Sequence, residues 1–145
     1  MSYKDTGITI KTSKGKTALN LKKAISAISD EIATEADEAL TESLEESALW
    51  AVQQLRTTAV TKRWRYYPHG WTYSREGKKG KTFKVYNKDH YQLTHLLEKG
   101  HRIVTHDGRD TGKRAPAFPH IAPVNDQLPD KVDELFAKNL NERGL

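Results

Sequence analysis

From Ala18 to about Ala59 the chain contains neither proline nor glycine. Apolar residues recur there at Leu21, Ile25, Ile28, Ile32, Ala36 and Ala39, then at Leu40, Leu44, Ala48, Ala51, Val52, Leu55 and Ala59. Steps of three and four place them along one stripe of an α-helix. At 1.5 Å per residue a helix of about 40 residues is near 60 Å long. That exceeds what a compact domain of 145 residues spans. The sequence therefore predicts a bend or break, placed where the stripe shifts between Ala36 and Leu44.

The same stretch carries an unusual charge pattern. Asp30, Glu31, Glu35, Asp37, Glu38, Glu42, Glu45 and Glu46 follow one another with no lysine or arginine between them. Lys62, Arg63, Arg65, Arg75, Lys78, Lys79, Lys81 and Lys84 then follow, against Glu76 alone. One reading is two solvated faces. The other is that the acidic surface of one subunit meets the basic surface of its neighbour, a head-to-tail contact of the kind that closes into rings. On that reading Glu35, Glu38, Glu42, Glu45 and Glu46 face Arg63, Arg65 and Arg75. Exposed pairs contribute little each, so Trp64, Trp71 and the terminal helix supply the apolar part.

The flanking segments predict smaller elements. Residues 1–16 carry Lys4, Lys11, Lys14 and Lys16 with two glycines; they read as an N-terminal arm, with one edge strand at Ile8 and Ile10. Residues 17–145 read as a single domain. Trp71–Ser74 and Thr82–Asn87 are rich in strand formers and form a hairpin about the Gly77–Gly80 turn. A short helix runs from about Asp89 to Lys99, capped by Asn87 or Asp89 and stopped at Gly100. His101–Thr105 suits a strand, and Asp107–Pro116 a polar, mobile loop. Pro119 and Pro123 hold His120 and Ile121 extended. A last helix runs from Pro123 or Leu128 to Leu140, with Val132, Leu135, Phe136 and Leu140 on one stripe. The expected class is α+β: a long N-terminal helix and a C-terminal helix packed on a small antiparallel β-sheet.

Chemistry finds little support in the residue pattern. The chain has no cysteine, which removes disulfides and thiolate metal sites. His90, His95, His101 and His106 do not repeat at the spacing of four that puts two ligands on one helix face. Gly77-Lys78-Lys79-Gly80-Lys81-Thr82 lacks the spacing of a phosphate loop and lies between strands. No Gly-x-Ser-x-Gly elbow occurs, and no second Asn and His complete a His-Asn-His nuclease. The sequence predicts no enzyme, no cofactor and no metal. No apolar run reaches the roughly 18 residues of a membrane span. One rival function stands: Lys62-Arg63-Trp64-Arg65-Tyr66-Tyr67, continued by Trp71, Tyr73 and Arg75, interleaves cations and aromatics as nucleic-acid binders do.

Two segments are more distinctive. Tyr91-Gln92-Leu93-Thr94-His95-Leu96-Leu97-Glu98-Lys99-Gly100-His101 precedes a basic, glycine-bearing loop, and Pro119-His120-Ile121-Ala122-Pro123 follows it. This arrangement resembles the small tail-component and neck proteins of long-tailed bacteriophages, the group named after gene product ten of a Hong Kong lambdoid phage. Tyr91, Leu93, His95, Leu96, Leu97, Glu98, Gly100 and His101 match that group's first motif; Pro119, His120, Ile121 and Pro123 match its second. After the long helix the chain departs from the group, with Ala59-Val60-Thr61-Lys62-Arg63 in place of a Pro-Val-Asp-Thr-Gly-like segment. The resemblance implies a structural virion protein of the neck or upper tail, assembled in the host cytoplasm. It implies a homo-oligomeric ring, six- or twelve-fold, that joins or completes head and tail. Its partners are then further copies, neighbouring neck and tail proteins and, in passing, genomic DNA in the channel. The resemblance carries over no catalytic residue.

Overall fold

The computed structural model describes residues 16–58, 65–77 and 81–145, with side chains from Lys23 onward. The predicted N-terminal arm, Arg63, Trp64 and the centre of the Gly77–Gly80 turn lie outside the described residues. The class is α+β, as the sequence predicts. Helix α1 (Lys16–Thr58) leads through a short 3-10 turn (Tyr67–Gly70) to strands β1 (Trp71–Glu76) and β2 (Thr82–Asn87). Helix α2 (Tyr91–Lys99), strands β3 (His101–Val104) and β4 (Asp110–Ala115), and helix α3 (Ile121–Glu142) follow.

Helix α1 runs unbroken for 43 residues, so of the bend or break expected between Ala36 and Leu44 the break is corrected. No proline or glycine interrupts the ladder, and α3 lies along this stretch of it. Arg143, just past α3, reaches Glu35, Glu38 and Glu42, while Asn139 reaches Ser43 and Lys138 reaches Glu46. Rising numbers on one helix meet falling numbers on the other, so the two are antiparallel. The contact is built on small residues. Ala39, Ser43, Ser47 and Ala48 are all buried, and they let α3 approach closely. Each buried serine hydroxyl donates to the carbonyl four residues back, Ser43 to Ala39 and Ser47 to Ser43, both at 2.6 Å. Leu40 and Leu44, expected on the stripe, are only half-buried.

The main core lies at the other end of α1. Ala51, Val52 and Leu55 pack with Tyr67, Trp71, Leu97 and Val124, and Trp50, Tyr73, Val85, Leu93, Ile121 and Leu128 close around them. Strands β1 and β2 pair antiparallel, with Trp71 opposite Asn87 and Glu76 opposite Thr82. The Arg56 guanidinium ties α1 to this hairpin by donating two hydrogen bonds to the Trp71 carbonyl, at 3.2 and 2.8 Å.

Two further expectations need correction. The loop expected over Asp107–Pro116 contains strand β4, paired antiparallel with β3. The sheet is therefore not single but split into two two-stranded sheets. Thr105 makes the turn: its backbone N–H donates to Arg109 O and its own carbonyl accepts from Gly108 N. Gly108 sits at φ +85°, a conformation that glycine adopts without cost. In the second correction, helix α3 begins at Ile121, so His120 and Ile121 are not an extended pair. Pro123 falls in the first helical turn, where a missing N–H removes no intrahelical bond.

Candidate functional site

Residues from both motifs meet at one junction, and Glu98 stands at its centre. Its carboxylate projects from the last turn of α2 onto the start of α3. There it accepts the backbone N–H groups of His120, Ile121 and Ala122 at 2.8, 2.9 and 2.9 Å. The first N–H groups of a helix have no intrahelical acceptor, and the fourth position here is Pro123, which has no N–H. One side chain thus satisfies every free donor at this helix end, from 22 residues away in sequence. Burial pushes the Glu98 pKa up, but the three N–H groups and the His120 ring outweigh it, and the net shift is downward.

His120 completes the lock and is buried. Its Nδ1 lies 2.8 Å from Phe118 O and 3.0 Å from a Glu98 oxygen. Both neighbours are acceptors, so Nδ1 carries the proton and Nε2 receives the Tyr67 hydroxyl at 2.9 Å. Tyr67, 1% exposed, has its pKa pushed well above the usual phenol range by burial and by the Glu98 charge. The Tyr67, Trp71 and His120 rings pack edge to face, with centroids 5.6 to 6.0 Å apart. Each polar atom of this Tyr–His–Glu chain is hydrogen-bonded to backbone or to a neighbouring ring.

Some of the other motif residues serve the same junction. Leu97 is in the core, and its carbonyl accepts Phe118 N at 2.7 Å. Gly100 has φ +72°, and a Cβ there would lie 2.6 Å from the Ala115 carbonyl. Leu93 packs on the core, whereas Tyr91 and His95 face solvent. Leu96 and His101 are half-buried. Among the described residues no group of histidines and acids could hold a metal ion, and no helix is long and apolar enough to cross a membrane.

Asn87, one of the two caps the sequence offers for this helix, organises the entry to α2, and its tie to the Tyr67 carbonyl had no sequence signal. Asn87, 1% exposed, donates to the Tyr67 carbonyl at 2.8 Å and accepts His90 N at 2.8 Å. Gly70 is needed beside it, because a Cβ would sit 2.2 Å from Asn87 Oδ1.

The candidate interface residues divide. Trp71, offered as an apolar surface contact, is 3% exposed in the chain's own core; that expectation is corrected, because the indole fills the space between α1 and His120. Glu35, Glu38 and Glu42 are bridged by Arg143 at 2.7, 3.2 and 2.9 Å. These contacts hold the Arg143 guanidinium well above its usual pKa, Glu42 and Glu35 contributing most. Glu46 pairs with Lys138 at 3.6 Å, and Glu45 accepts the Tyr73 hydroxyl at 3.1 Å, which raises the Tyr73 pKa. Lys81 pairs with Asp37. The acidic run therefore meets cations of its own chain, and one of them, Lys81, comes from the basic run. Arg75 joins these groups in lining an open charged cleft beside α1. Arg65 is exposed, with its guanidinium 5.4 Å from the Tyr66 ring centroid. Arg143 and Lys138 carried no sequence signal beyond their charge.

Compared with known proteins, the chain matches no family model, no curated protein and no solved structure.

Proposed function

We propose that this chain is a structural virion protein of a long-tailed phage, a ring subunit of the neck or upper tail that joins or completes head and tail. The observation that carries the reading is the convergence of the motif residues. Glu98, Leu97, Gly100, Pro119, His120, Ile121 and Pro123 are scattered over 27 positions of sequence. They assemble into one architectural joint that sets α3 and the β3–β4 hairpin on the body. Residues spent on fixing the angles between elements suit a subunit whose product is shape. Quantitative mass spectrometry of purified virions tests the reading: the protein is expected at a copy number in the range of one ring. Virions without it would end the proposal.

The exposed Arg65–Tyr66 stack favours a second reading, a nucleic-acid-binding protein that tracks phosphate with cations and stacks bases on aromatics. Tyr66 is 67% exposed, far more than a core aromatic. On that reading the isolated protein binds a labelled duplex with a steep salt dependence, and Arg65→Ala lowers the slope by about one. A structural ring subunit gives negligible binding at physiological salt.

A further inference from the structure

The β3–β4 hairpin is formed but uncovered. Every residue from Arg102 to Arg114 is exposed, including Ile103 at 41% and Val104 at 52%. A lone two-stranded hairpin is marginal in water, and Ile103 and Val104 stay largely exposed among the described residues. It also holds a charge conflict. Arg102 and Arg114 stand directly opposite each other in the register, and like charges across a strand pair are destabilising. Arg102 is answered by Asp110 at 3.2 Å. Arg114 has no ion-pair partner among the described residues. The register shifts between Arg102 and Val104, which stands opposite Asp110, the acid that answers Arg102; Val104 therefore lies close to both the paired and the unpaired arginine. The hairpin thus presents an apolar residue beside a surplus cation.

The first part of α1 offers the complement. None of residues 23–34 is buried, whereas full burial begins at Ala39. Ile28 is 54% exposed, and at helical spacing Glu31 lies beside it on the same face. Glu31 has no ion-pair partner among the described residues, unlike Glu35 and Glu38, which Arg143 holds. Several other acids that stand near a large exposed apolar residue are already paired within the chain: Asp110, opposite Val104, with Arg102; Glu46, one turn before Leu49, with Lys138; and Glu142, near Leu145, with Lys138.

We infer that the β3–β4 hairpin of one copy docks on the exposed start of α1 of the next copy, with Val104 against Ile28 and Arg114 against Glu31. The inference rests on the ring reading above and gives the ring its contact. The two patches are different surfaces of one chain, so the contact is heterologous: each copy uses its hairpin on one neighbour and offers its helix to the other. Such contacts propagate and close into a ring when the rotation allows. The apolar pair supplies attraction, and the charge pair sets register.

The absence of cysteine in this chain makes the test direct. Full-length protein carrying both Ile28→Cys and Val104→Cys is treated with a short bismaleimide at high concentration. The double variant is expected to give a ladder of trimers and larger species, while each single variant stays monomeric and an equimolar mixture of the two stops at dimers. Adding Arg114→Glu to the double variant should abolish the ladder, and adding Glu31→Lys as well should restore it. Thermal melts of each variant establish that the fold is kept. No ladder from a folded double variant overturns the inference, and so does a dimer from Ile28→Cys alone, which would mean a two-fold helix contact. Loss of labelled-duplex binding in Arg114→Glu without any ladder would reassign the hairpin to nucleic acid. A ladder from a protein absent from virions would keep the contact and dispose of the neck function; its converse would do the opposite.

Discussion

Removing the Glu98 carboxylate should loosen the joint between α2 and α3 by an amount the structure allows to be worked out. Glu98→Ala leaves three backbone donors, those of His120, Ile121 and Ala122, without their acceptor. Losing a helix N-cap costs about 0.5–2 kcal/mol, and each buried donor left unpaired costs about 1–3 kcal/mol. Ala122 is exposed and its N–H can turn to water, while His120 is buried and Ile121 half-buried. Two costly donors and one cheap one give a loss of about 3 kcal/mol. For a chain of this size that lowers the melting temperature by about 10 °C. Glu98→Gln keeps one acceptor oxygen for His120 and Ile121, loses the charge and leaves only the exposed Ala122 N–H without its acceptor, so about 1–2 kcal/mol is expected. The pH dependence follows from the lowered Glu98 pKa. A carboxyl whose folded pKa lies below its unfolded value, near 4.3, adds stability that is fully present above that value. This stability is lost as the pH falls through the folded pKa. The gap between wild type and Glu98→Gln should therefore be widest near neutral pH, begin to narrow below about pH 4.3 and vanish only below the folded pKa. Urea unfolding followed by circular dichroism at pH 7 and pH 3 reads both effects. A Glu98→Ala variant within about 0.5 kcal/mol of wild type, or a gap as wide at pH 3 as at pH 7, would refute this account of the joint.

Other substitutions probe the neighbouring contacts. Tyr67→Phe removes the donor to His120 Nε2 and should cost about 1–2 kcal/mol, measured by urea midpoint, since a buried acceptor then stands alone. Gly70→Ala forces a methyl to within 2.2 Å of Asn87 Oδ1 and should cost about 2 kcal/mol or more; a neutral result in a thermal melt would mean that Asn87 can move away. Asn139→Ala deletes the bonds to Ser43 and Glu46 across the α1–α3 contact, with an expected loss of about 1–2 kcal/mol in the same assay. Arg143→Ala releases Glu35, Glu38 and Glu42 together. It should lower the urea midpoint at low salt and much less at high salt, because exposed pairs are screened.

The architecture of this chain follows from local rules wherever those rules act locally. The absence of proline and glycine from Ala18 to Ala59 allows a single helix, and the steps of three and four mark its buried side. The alternation of strand formers on either side of Gly77 places β1 and β2, and Gly100 ends α2 because only glycine sits at φ +72° against the Ala115 carbonyl. Other features depend on partners far away in sequence. Helix α3 docks along the middle of α1, from Glu35 to Glu46. Ser43 and Ser47 are buried in preference to Leu40 and Leu44 because small residues let α3 approach and Asn139 answers the Ser43 hydroxyl. The acidic run reads from sequence as a surface awaiting another molecule, yet Arg143, a residue near the C-terminus, occupies three of its carboxylates. Strand β4 escapes a local reading because Asp110–Ala115 is polar throughout and becomes a strand only by pairing with β3. Glu98 shows the division most directly. Composition and spacing mark it as one more helix-surface acid. Its place at the start of α3, 22 positions on, is set by how α2 and α3 pack, and no local pattern encodes that.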